Sequence, residues 1–478
     1  MKLRLIFLLL ILTFITSYGQ KQGNVWYFGD QGGLDFNTGN PIALTNGATY
    51  DVGTDGSEGT AVISDSSGSL LFYTNGQKIW NKNHQIMSNG DSLLGNVSST
   101  QAALIIAQPG SNRYFYVFTT DDFYNDQLKY GFRYSIVDIC LNNGFGNVII
   151  NQKNIKLLDT VAEKLTAVRH ANGIDYWVIT HKYFSDAFYS YHLSSSGIID
   201  TVISHVGSIH PAGMIGLAGA IGQLKASPNG QKLAIVNGQS APNIAEYFNF
   251  DKSTGIISNC VSIQTNPNYS YYGVSFSPDN SKLYISCWLN NNGVYQFNLN
   301  AAGGNSDSVK ASKTLITSLT SYPMQLAVDG KIYLQRAGNS GKYLSKINNP
   351  NNLGLNCNYI DSAVYLDGKI CSSGLPNFID SYDYSNTIYN CETGIDEFKN
   401  KTLSIKIYPN PAQENFTIEL PEKEIFSLSV SDIMGRKIYE RKNSNGIVKV
   451  ACSDFSNGIY FVQAINEKNI ITYKLIKE

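Results

Sequence analysis

The sequence predicts an all-β fold, and three observations lead to that prediction. The 478 residues include 31 Tyr and 42 Gly, which favour strands and turns respectively and do not suit a helical protein. After an N-terminal apolar run, no segment longer than about ten residues repeats apolar positions at the helical period. Short apolar strands alternate with Asn-Gly and Asp-Gly turns through the middle of the chain. With 43% hydrophobic residues, the chain can bury a core in each of two or three domains.

The first residues have the pattern of an export signal. Lys2 and Arg4 precede an apolar run from Leu5 to Ile15, and small residues follow at Ser17 and Gly19. This three-part arrangement is typical of a secretory signal peptide, and the apolar run is too short to span a bilayer. We therefore expect residues 1–19 to be removed on export, and we expect no transmembrane segment in the mature chain.

Charge and motif content exclude several classes of function. Only 15% of the residues are charged, and 36 Lys and Arg against 37 Asp and Glu give a net charge of -1. Such a chain is not an electrostatic nucleic-acid binder. It contains no zinc-type Cys/His spacing, no Walker loop and no Gly-x-Ser-x-Gly nucleophile elbow. The sequence therefore offers no recognised catalytic motif.

The middle of the chain repeats a unit of one apolar strand, a turn and a second strand. The turn residues Gly230, Asn280 and Gly330 are 50 residues apart, and Gly173 precedes the first of them by 57. Repeats of about 40 to 60 residues, each made of a few short strands, are typical of a β-propeller. The six copies cover residues 60–73, 103–118, 165–179, 224–235, 274–285 and 326–334.

The two ends of this region predict how the propeller closes. Residues 374–380 have the pattern of an inner strand but no strands follow them, whereas strands at 24–29, 33–36 and 41–44 lack an inner strand. Joining the two completes one blade and removes the exposed sheet edges. We therefore predict a seven-bladed propeller in residues 20–390, with six and eight blades as the alternatives.

A mixed polar ring is the predicted ligand-binding site. Propellers bind ligands at one mouth of the central channel, near the starts of the inner strands. Glu58 is the only acidic residue of the ring, so binding is favoured over catalysis. Repeat alignment places these residues there: Glu58, Gln101, Lys164, Gln223, Tyr272, Gln325 and Asn377. The alternative is that these polar side chains only bind water in the channel and bind no ligand.

One loop is a candidate metal site. Asp51, Asp55 and Glu58 could offer carboxylates, and the intervening glycines would permit a tight wrap. The loop lacks the full twelve-residue calcium spacing, and a solvated turn is the alternative. We expect no cofactor other than calcium at this loop.

The seven cysteines suit an exported protein with few disulfides. Cys357, Cys371 and Cys391 lie close in sequence and could include one pair. The odd total leaves at least one cysteine unpaired.

The C-terminal residues predict a separate small domain. A charged linker at 391–402 precedes about seven short alternating strands in residues 403–478. Strands of this number and length predict an Ig-like β-sandwich.

This tail resembles the C-terminal sorting domain of the type IX secretion system. The matching residues are Tyr408, Pro409, Asn410 and Pro411, then Gly435 and Arg436, then Gly458 and Tyr460, and finally Lys474 and Lys477. The resemblance implies a partnership with that secretion machinery and passage across the outer membrane. It also implies removal of the tail, followed by release or attachment to surface lipopolysaccharide.

The region from about residue 24 to 385 resembles the propellers of secreted Bacteroidetes proteins of the gliding-motility-associated type. The resemblance rests on residues 26–36, 71–76, 80–87 and 374–378. Three hypotheses about function follow. The first is a secreted or cell-surface, non-catalytic protein that binds a glycan or a protein. The second is a propeller hydrolase or lyase acting on extracellular polysaccharide, and the third is an adhesion or gliding-motility component.

Overall fold

The computed structural model describes residues 20–48, 58–210, 219–238, 243–263, 269–288, 293–336, 341–384, 389, 391, 405–420, 424–466 and 470–478. The chain divides into two compact units after Cys391. The residues predicted as a signal peptide lie outside the described residues. Among the described residues, no helix has the length and apolar character needed to cross a membrane.

The first unit contains seven antiparallel sheets among its described residues. The first three comprise β1 (Val25–Phe28), β2 (Gly32–Asp35) and β3 (Ile42–Leu44); β4 (Ala61–Ser64), β5 (Leu70–Thr74) and β6 (Ile79–Asn81); and β7 (Ala103–Ala107), β8 (Tyr114–Thr120), β9 (Phe132–Asp138), β10 (Asn147–Val148) and β11 (Ile155–Leu158).

Each of the other four sheets has four strands in chain order. They comprise β12 (Val161–Arg169), β13 (Tyr176–Lys182), β14 (Ala187–Ser194) and β15 (Gly197–His205); β16 (Leu224–Ala226), β17 (Lys232–Val236), β18 (Ala245–Phe250) and β19 (Ile257–Ser262); β20 (Tyr271–Phe276), β21 (Lys282–Cys287), β22 (Val294–Asn298) and β23 (Thr314–Thr317); and β24 (Ser321–Leu326), β25 (Ile332–Arg336), β26 (Tyr343–Ile347) and β27 (Tyr359–Tyr365).

Helices in the described residues are short and connect strands. They are α1 (Leu141–Gly144) and α2 (Ser306–Ala311), with 3₁₀ turns at Ile150–Gln152, Ala301–Gly304 and Gly354–Cys357. The predicted turn residues Gly173, Gly230, Asn280 and Gly330 have φ of 70°, 70°, 65° and 73°. This left-handed conformation is what the tight strand connections require, so the turn prediction is confirmed.

Packing between neighbouring sheets closes the seven into a ring. One hydrophobic cluster contains Trp26, Tyr73 and Tyr333, which belong to the first, second and seventh sheets. Further clusters join the second to fourth, the fourth and fifth, the fifth and sixth, and the sixth and seventh sheets. The first strands of successive sheets adjoin at the centre. The unit is therefore a β-propeller, and its seven sheets are consistent with seven blades.

Residues 374–384, which we call the closing segment, lie at the innermost position beside β1. Phe378 packs on Trp26 with ring centroids 5.7 Å apart. The backbone N–H of Asn377 donates to the backbone carbonyl of Thr60 at 2.7 Å. The only strand pairing in the segment is an isolated parallel bridge between Pro376 and Thr60. The segment thus takes the place of the predicted inner strand without a regular ladder, because Pro376 has no N–H to donate.

One disulfide, between Cys140 and Cys391, is present in the described part of the chain. It joins the end of β9 to the last residue of the propeller unit across 251 residues of sequence. Cys357 and Cys371 are buried free thiols. The prediction of a pair among Cys357, Cys371 and Cys391 is therefore wrong, because Cys357 and Cys371 are enclosed in the sheet packing and Cys391 is bonded to Cys140.

The second unit is a β-sandwich. One sheet contains β28 (Lys406–Tyr408), β29 (Asn415–Glu419) and β32 (Ile447–Ala451), and the other contains β30 (Phe426–Asp432), β31 (Lys437–Ser444), β33 (Gly458–Ile465) and β34 (Ile470–Lys477). Phe416, Val430 and Val462 belong to the core between the sheets. Alternate burial along β30 and β32 matches the predicted alternating strands.

Candidate functional site

Titratable and aromatic side chains gather where the inner strands begin. Glu58 precedes β4, Glu163 and Lys164 lie in the first half of β12, and Tyr272 lies at the start of β20. Of the seven predicted ring residues, the structure brings Glu58, Lys164 and Tyr272 into this group, which we call the mouth cluster with Thr100 and Glu163. Like ends of neighbouring inner strands meet at one end of a propeller, which is why repeat alignment could predict part of this cluster.

Glu163 and Lys164 have their hydrogen-bonding capacity met by the protein. Glu163 accepts from the backbone N–H and the hydroxyl of Thr100 at 2.9 and 2.8 Å, and from the N–H of Phe123 at 2.9 Å. Lys164 Nζ donates to three successive carbonyls, those of residues 220, 221 and 222, at 2.8–2.9 Å. Burial raises the pKa of Glu163 and lowers the pKa of Lys164. These two side chains hold the start of β12 against its neighbours.

Glu58 and Tyr272 form the part of the cluster that adjoins a wall of aromatic rings. The Tyr272 hydroxyl donates to Glu58 Oε2 at 2.7 Å. Burial raises the pKa of Glu58 to about 8, and the charge of Glu163 adds to the increase. The Tyr272 ring lies edge-on to Trp288 and Tyr322, at 6.1 and 5.7 Å between centroids. Trp288 and Tyr322 are half-buried, so part of each ring faces outwards.

The Trp288 indole has an unused donor. Its Nε1 atom is buried and has no hydrogen-bond partner among the described residues. Gly238 lets the indole approach, because a Cβ there would lie 2.4 Å from the carbonyl oxygen of Tyr271 and 3.0 Å from Trp288 Nε1. Tyr271, the neighbour of Tyr272 in β20, is buried in the core between the fifth and sixth sheets.

Two buried histidines lie near Lys164. The rings of His181 and His210 stack with centroids 4.0 Å apart, and both residues are fully enclosed. Burial lowers the pKa of His181 to about 3, and the charge of Lys164 lowers it further. His181 is therefore neutral at ordinary pH, and it packs edge-on to Phe188 at 4.6 Å.

The other four predicted ring residues lie inside the channel and bond to the protein. Gln101 links the fourth and fifth sheets through the backbone N–H groups of Leu165 and Leu224, at 3.2 and 2.7 Å. Gln223 accepts from the backbone N–H groups of residues 274 and 324 at 3.1 Å each. Their burial and bonding connect blades, and ligand binding by them stays a prediction.

Asn377 and Gln325 take part in a network across the channel. Lys225 Nζ donates to both side chains, and it lies 3.3 Å from Asp380 Oδ1. Gln325 Nε2 donates to the same Asp380 oxygen at 3.1 Å. All four side chains are nearly inaccessible to solvent. The network ties the closing segment to the fifth and seventh sheets.

The loop predicted to bind a metal lies only partly within the described residues. Asp51 and Asp55 lie outside them, and Glu58 belongs to the mouth cluster. Asp121, Asp122 and Asp126 do place carboxylate oxygens within 4.8 Å of one another. These oxygens accept hydrogen bonds from their own loop, such as those of the Tyr130 N–H and the Asn125 side chain. Burial raises the pKa of Asp121 to about 6.

Sequence reasoning missed Glu163, Trp288 and the histidine pair. A Glu-Lys pair inside the apolar run of residues 161–168 was an available signal, because charges in an inner strand need partners. Trp288 carried no such signal. It follows the second strand of its sheet, and no repeat position marked it.

The pH dependence of stability tests the environment of Glu58. Because its pKa is raised to about 8, the folded state keeps a proton that the unfolded state releases above about pH 4.5. Glu58 therefore lowers the free energy of unfolding as the pH rises from about 4.5 to 8, by at most about 1.4 kcal/mol per pH unit. We expect Glu58→Gln to gain stability relative to wild type over this window.

Urea unfolding at pH 5 and pH 8 measures this difference. All four tryptophans, Trp26, Trp80, Trp177 and Trp288, lie in the first unit, so tryptophan fluorescence reports the propeller alone. A difference between variant and wild type that is the same at both pH values would contradict the burial of Glu58.

The predicted sorting motifs meet at one edge of the second unit. Asn410 donates from its amide to the carbonyl of Lys474 at 2.9 Å and accepts from the N–H of Ile476 at 2.8 Å. Arg436 lies 3.1 Å from Asp432 in a turn that Gly435 closes with φ of 77°. The Tyr460 hydroxyl donates to the carbonyl of Ser456 at 2.8 Å. The first and last motifs are thus joined by direct hydrogen bonds.

Comparison with known proteins bears on both units. Residues 406–478 match the secretion system C-terminal sorting domain family. No curated protein matches the chain. Among solved structures, the chain is similar to PorZ, a surface component of the type IX secretion system of Porphyromonas gingivalis, with 13% identity and a TM-score of 0.36. That alignment covers 94% of this chain and 62% of PorZ, so the chain spans less than two thirds of that protein.

Two further solved structures match the chain with similarly low sequence identity and TM-score. One is the periplasmic gluconolactonase PpgL of Pseudomonas aeruginosa, with 10% identity, a TM-score of 0.35 and coverage of 78% of this chain and 94% of that one. The other is a putative 6-phosphogluconolactonase from Bacteroides fragilis, with 14% identity, a TM-score of 0.36 and coverage of 84% and 100%. Similarities this distant do not indicate a function.

The fold and the tail together define a class: a β-propeller followed by a β-sandwich that directs secretion. Residues 406–478 are a secretion system C-terminal sorting domain, which implies the type IX machinery as partner. The sorting tail therefore indicates a protein that is secreted to the cell surface.

Proposed function

We propose that the propeller is a non-catalytic module that binds an extracellular glycan at the mouth cluster. The observation that carries the proposal is the aromatic wall of Tyr272, Trp288 and Tyr322 beside Glu58. Aromatic faces pack on the apolar faces of sugar rings, and a few polar groups then fix their orientation. The second oxygen of Glu58 can supply such a group.

The hydrogen bonding of the cluster favours binding over turnover. Hydrolysis of a glycosidic bond needs two carboxyl groups that reach the substrate. Glu163 accepts three hydrogen bonds from the protein, and Lys164 donates three to backbone carbonyls. Only Glu58 remains for a ligand, so the cluster has one carboxyl group where a glycosidase uses two.

A glycan array tests the proposal with the purified protein. We expect retention of at least one polysaccharide without release of products. Trp288→Ala and Tyr322→Ala should each weaken that binding about tenfold or more, because each removes stacking area. Tyr365→Ala is the matched control, since Tyr365 is half-exposed on the outer strand of the seventh sheet.

The outcomes of the array separate the hypotheses. Binding that survives both mouth variants would contradict glycan binding at this site. Failure to bind any glycan would also overturn the proposal of glycan binding. That result would favour a protein ligand, or an adhesion or motility role. The array is run with and without calcium, because the acidic loops make a calcium requirement worth testing.

One observation favours the hydrolase as a second candidate. With a pKa raised to about 8, Glu58 is protonated near neutral pH, as a general acid must be. Released products that disappear in Glu58→Gln would support an enzyme.

We also propose that the sorting domain is removed on export, leaving the propeller released or attached to surface lipopolysaccharide.

A further inference from the structure

A polar cleft opens between the third and fourth sheets, away from the mouth cluster. Its volume is about 530 Å³, within the range of ligand pockets. Gln108 lines it just after the end of β7, whereas the mouth cluster adjoins the beginning of the same strand. The turn between β14 and β15, residues 195–196, and the first residue of β15, Gly197, form the facing wall. The cleft is thus a separate site at the opposite end of the inner strands.

Two tyrosines form one side of the cleft. The rings of Tyr116 and Tyr134 lie 5.1 Å apart and are tilted by 45°. Burial raises the pKa of both phenols, and neither hydroxyl forms a hydrogen bond to another described residue. Gly197 leaves room for the Tyr116 hydroxyl: it has φ of 95°, and a Cβ there would lie 3.2 Å from that oxygen.

The remaining lining is uncharged. Gln108 and Gln152 contribute amides, the serines of the turn contribute hydroxyls, and the apolar part includes Ile136 and Leu157. None of the described residues that line the cleft is acidic or basic. A charged ligand would find no partner for its charge here, whereas hydroxyl groups would find both donors and acceptors.

We propose that this cleft is a second binding site, specific for a neutral saccharide. The exposed part of the Tyr134 ring packs on the sugar, the free hydroxyls of both tyrosines and the two amides bond to its hydroxyl groups, and the uncharged lining selects against anionic glycans. The site is independent of the glycan binding proposed for the mouth cluster.

Titration calorimetry of the full chain with neutral oligosaccharides tests the site. The probes are maltohexaose, cellohexaose, laminarihexaose and mannohexaose, with an oligogalacturonate as the anionic comparison. We expect at least one neutral probe to bind and the oligogalacturonate to fail at this site. The double variant Tyr116→Phe and Tyr134→Phe should weaken binding about 10- to 50-fold, the loss of two hydrogen bonds.

Further variants distinguish this site from the mouth. The tyrosine-to-phenylalanine changes remove hydroxyls without partners in the protein, so the variant should fold as wild type does. Ser196→Phe, at an exposed turn position, should block the cleft and abolish binding. Trp288→Ala should leave the neutral probe bound, and Tyr365→Phe serves as the exposed-tyrosine control.

Each contrary result overturns the proposal. Failure of all four neutral probes to bind would do so, and so would unchanged affinity in the double variant and in Ser196→Phe. If Trp288→Ala alone abolished binding of the neutral probe, the mouth proposal would stand and the cleft proposal would fail. Loss of binding in the cleft variants alone would support the cleft proposal, and the glycan array would then decide the mouth proposal separately.

Discussion

Replacing Asp380 by alanine is expected to lower the free energy of unfolding of the propeller by about 3–5 kcal/mol, the usual cost of breaking a buried ion pair. Lys225 Nζ lies 3.3 Å from Asp380 Oδ1, and both side chains are almost fully buried. The variant would leave the ammonium group in the channel with only the neutral amides of Gln325 and Asn377. It would also remove an acceptor of the Gln325 amide.

Urea unfolding followed by tryptophan fluorescence measures the loss in the first unit. Asp383→Ala is the matched control in the same closing segment, because the Asp383 side chain is 55% exposed and lies 4.0 Å from Arg169. We expect it to change stability by no more than about 0.5 kcal/mol. The double variant Lys225→Met and Asp380→Leu should cost less than Asp380→Ala, since it leaves no buried charge. Equal losses in Asp380→Ala and Asp383→Ala would refute the importance of the network.

Removal of the disulfide should have the second large effect. The bond between Cys140 and Cys391 closes a loop of 251 residues, so it restricts the unfolded chain strongly. We expect the double variant Cys140→Ser and Cys391→Ser to lose about 2–5 kcal/mol of stability. The measurement is the urea midpoint with and without dithiothreitol: the reductant should lower the midpoint of wild type to that of the variant and leave the variant unchanged.

Cys260→Ser provides the control for this experiment. Cys260 is a free, half-buried thiol in β19, and its replacement should cost less than about 1 kcal/mol. That variant should keep the response of wild type to the reductant. A wild-type midpoint that does not respond to the reductant would show that the bond does not stabilise the propeller.

The ring of sheets could be predicted because its signals are local. Each blade repeats an apolar inner strand and a turn at a residue such as Gly230 or Asn280, whose left-handed backbone these residue types adopt readily. The pairing of the closing segment could not be predicted from the sequence pattern alone. Residues 374–380 carry an apolar pattern, but Pro376 prevents the ladder that the pattern suggested.

Functional positions could be predicted only where they follow the repeat. Glu58, Lys164 and Tyr272 lie at or near the starts of inner strands, so alignment of the repeats predicts that they lie close together. The cleft tyrosines lie on later strands and Trp288 follows one, and side-chain direction there depends on how neighbouring blades pack. The Cys140–Cys391 pair depends on contacts between segments 251 residues apart, and such contacts cannot be predicted from the spacing of cysteines in the sequence.

The covalent bond at Cys391 also determines how the propeller bears mechanical load. The sorting domain begins at residue 406, so a pull on that domain reaches the propeller through Cys391. The disulfide passes this force directly to the end of β9. A force applied through the sorting domain would then be carried by a covalent crosslink, and the closing segment with its Asp380 network would be spared the direct strain.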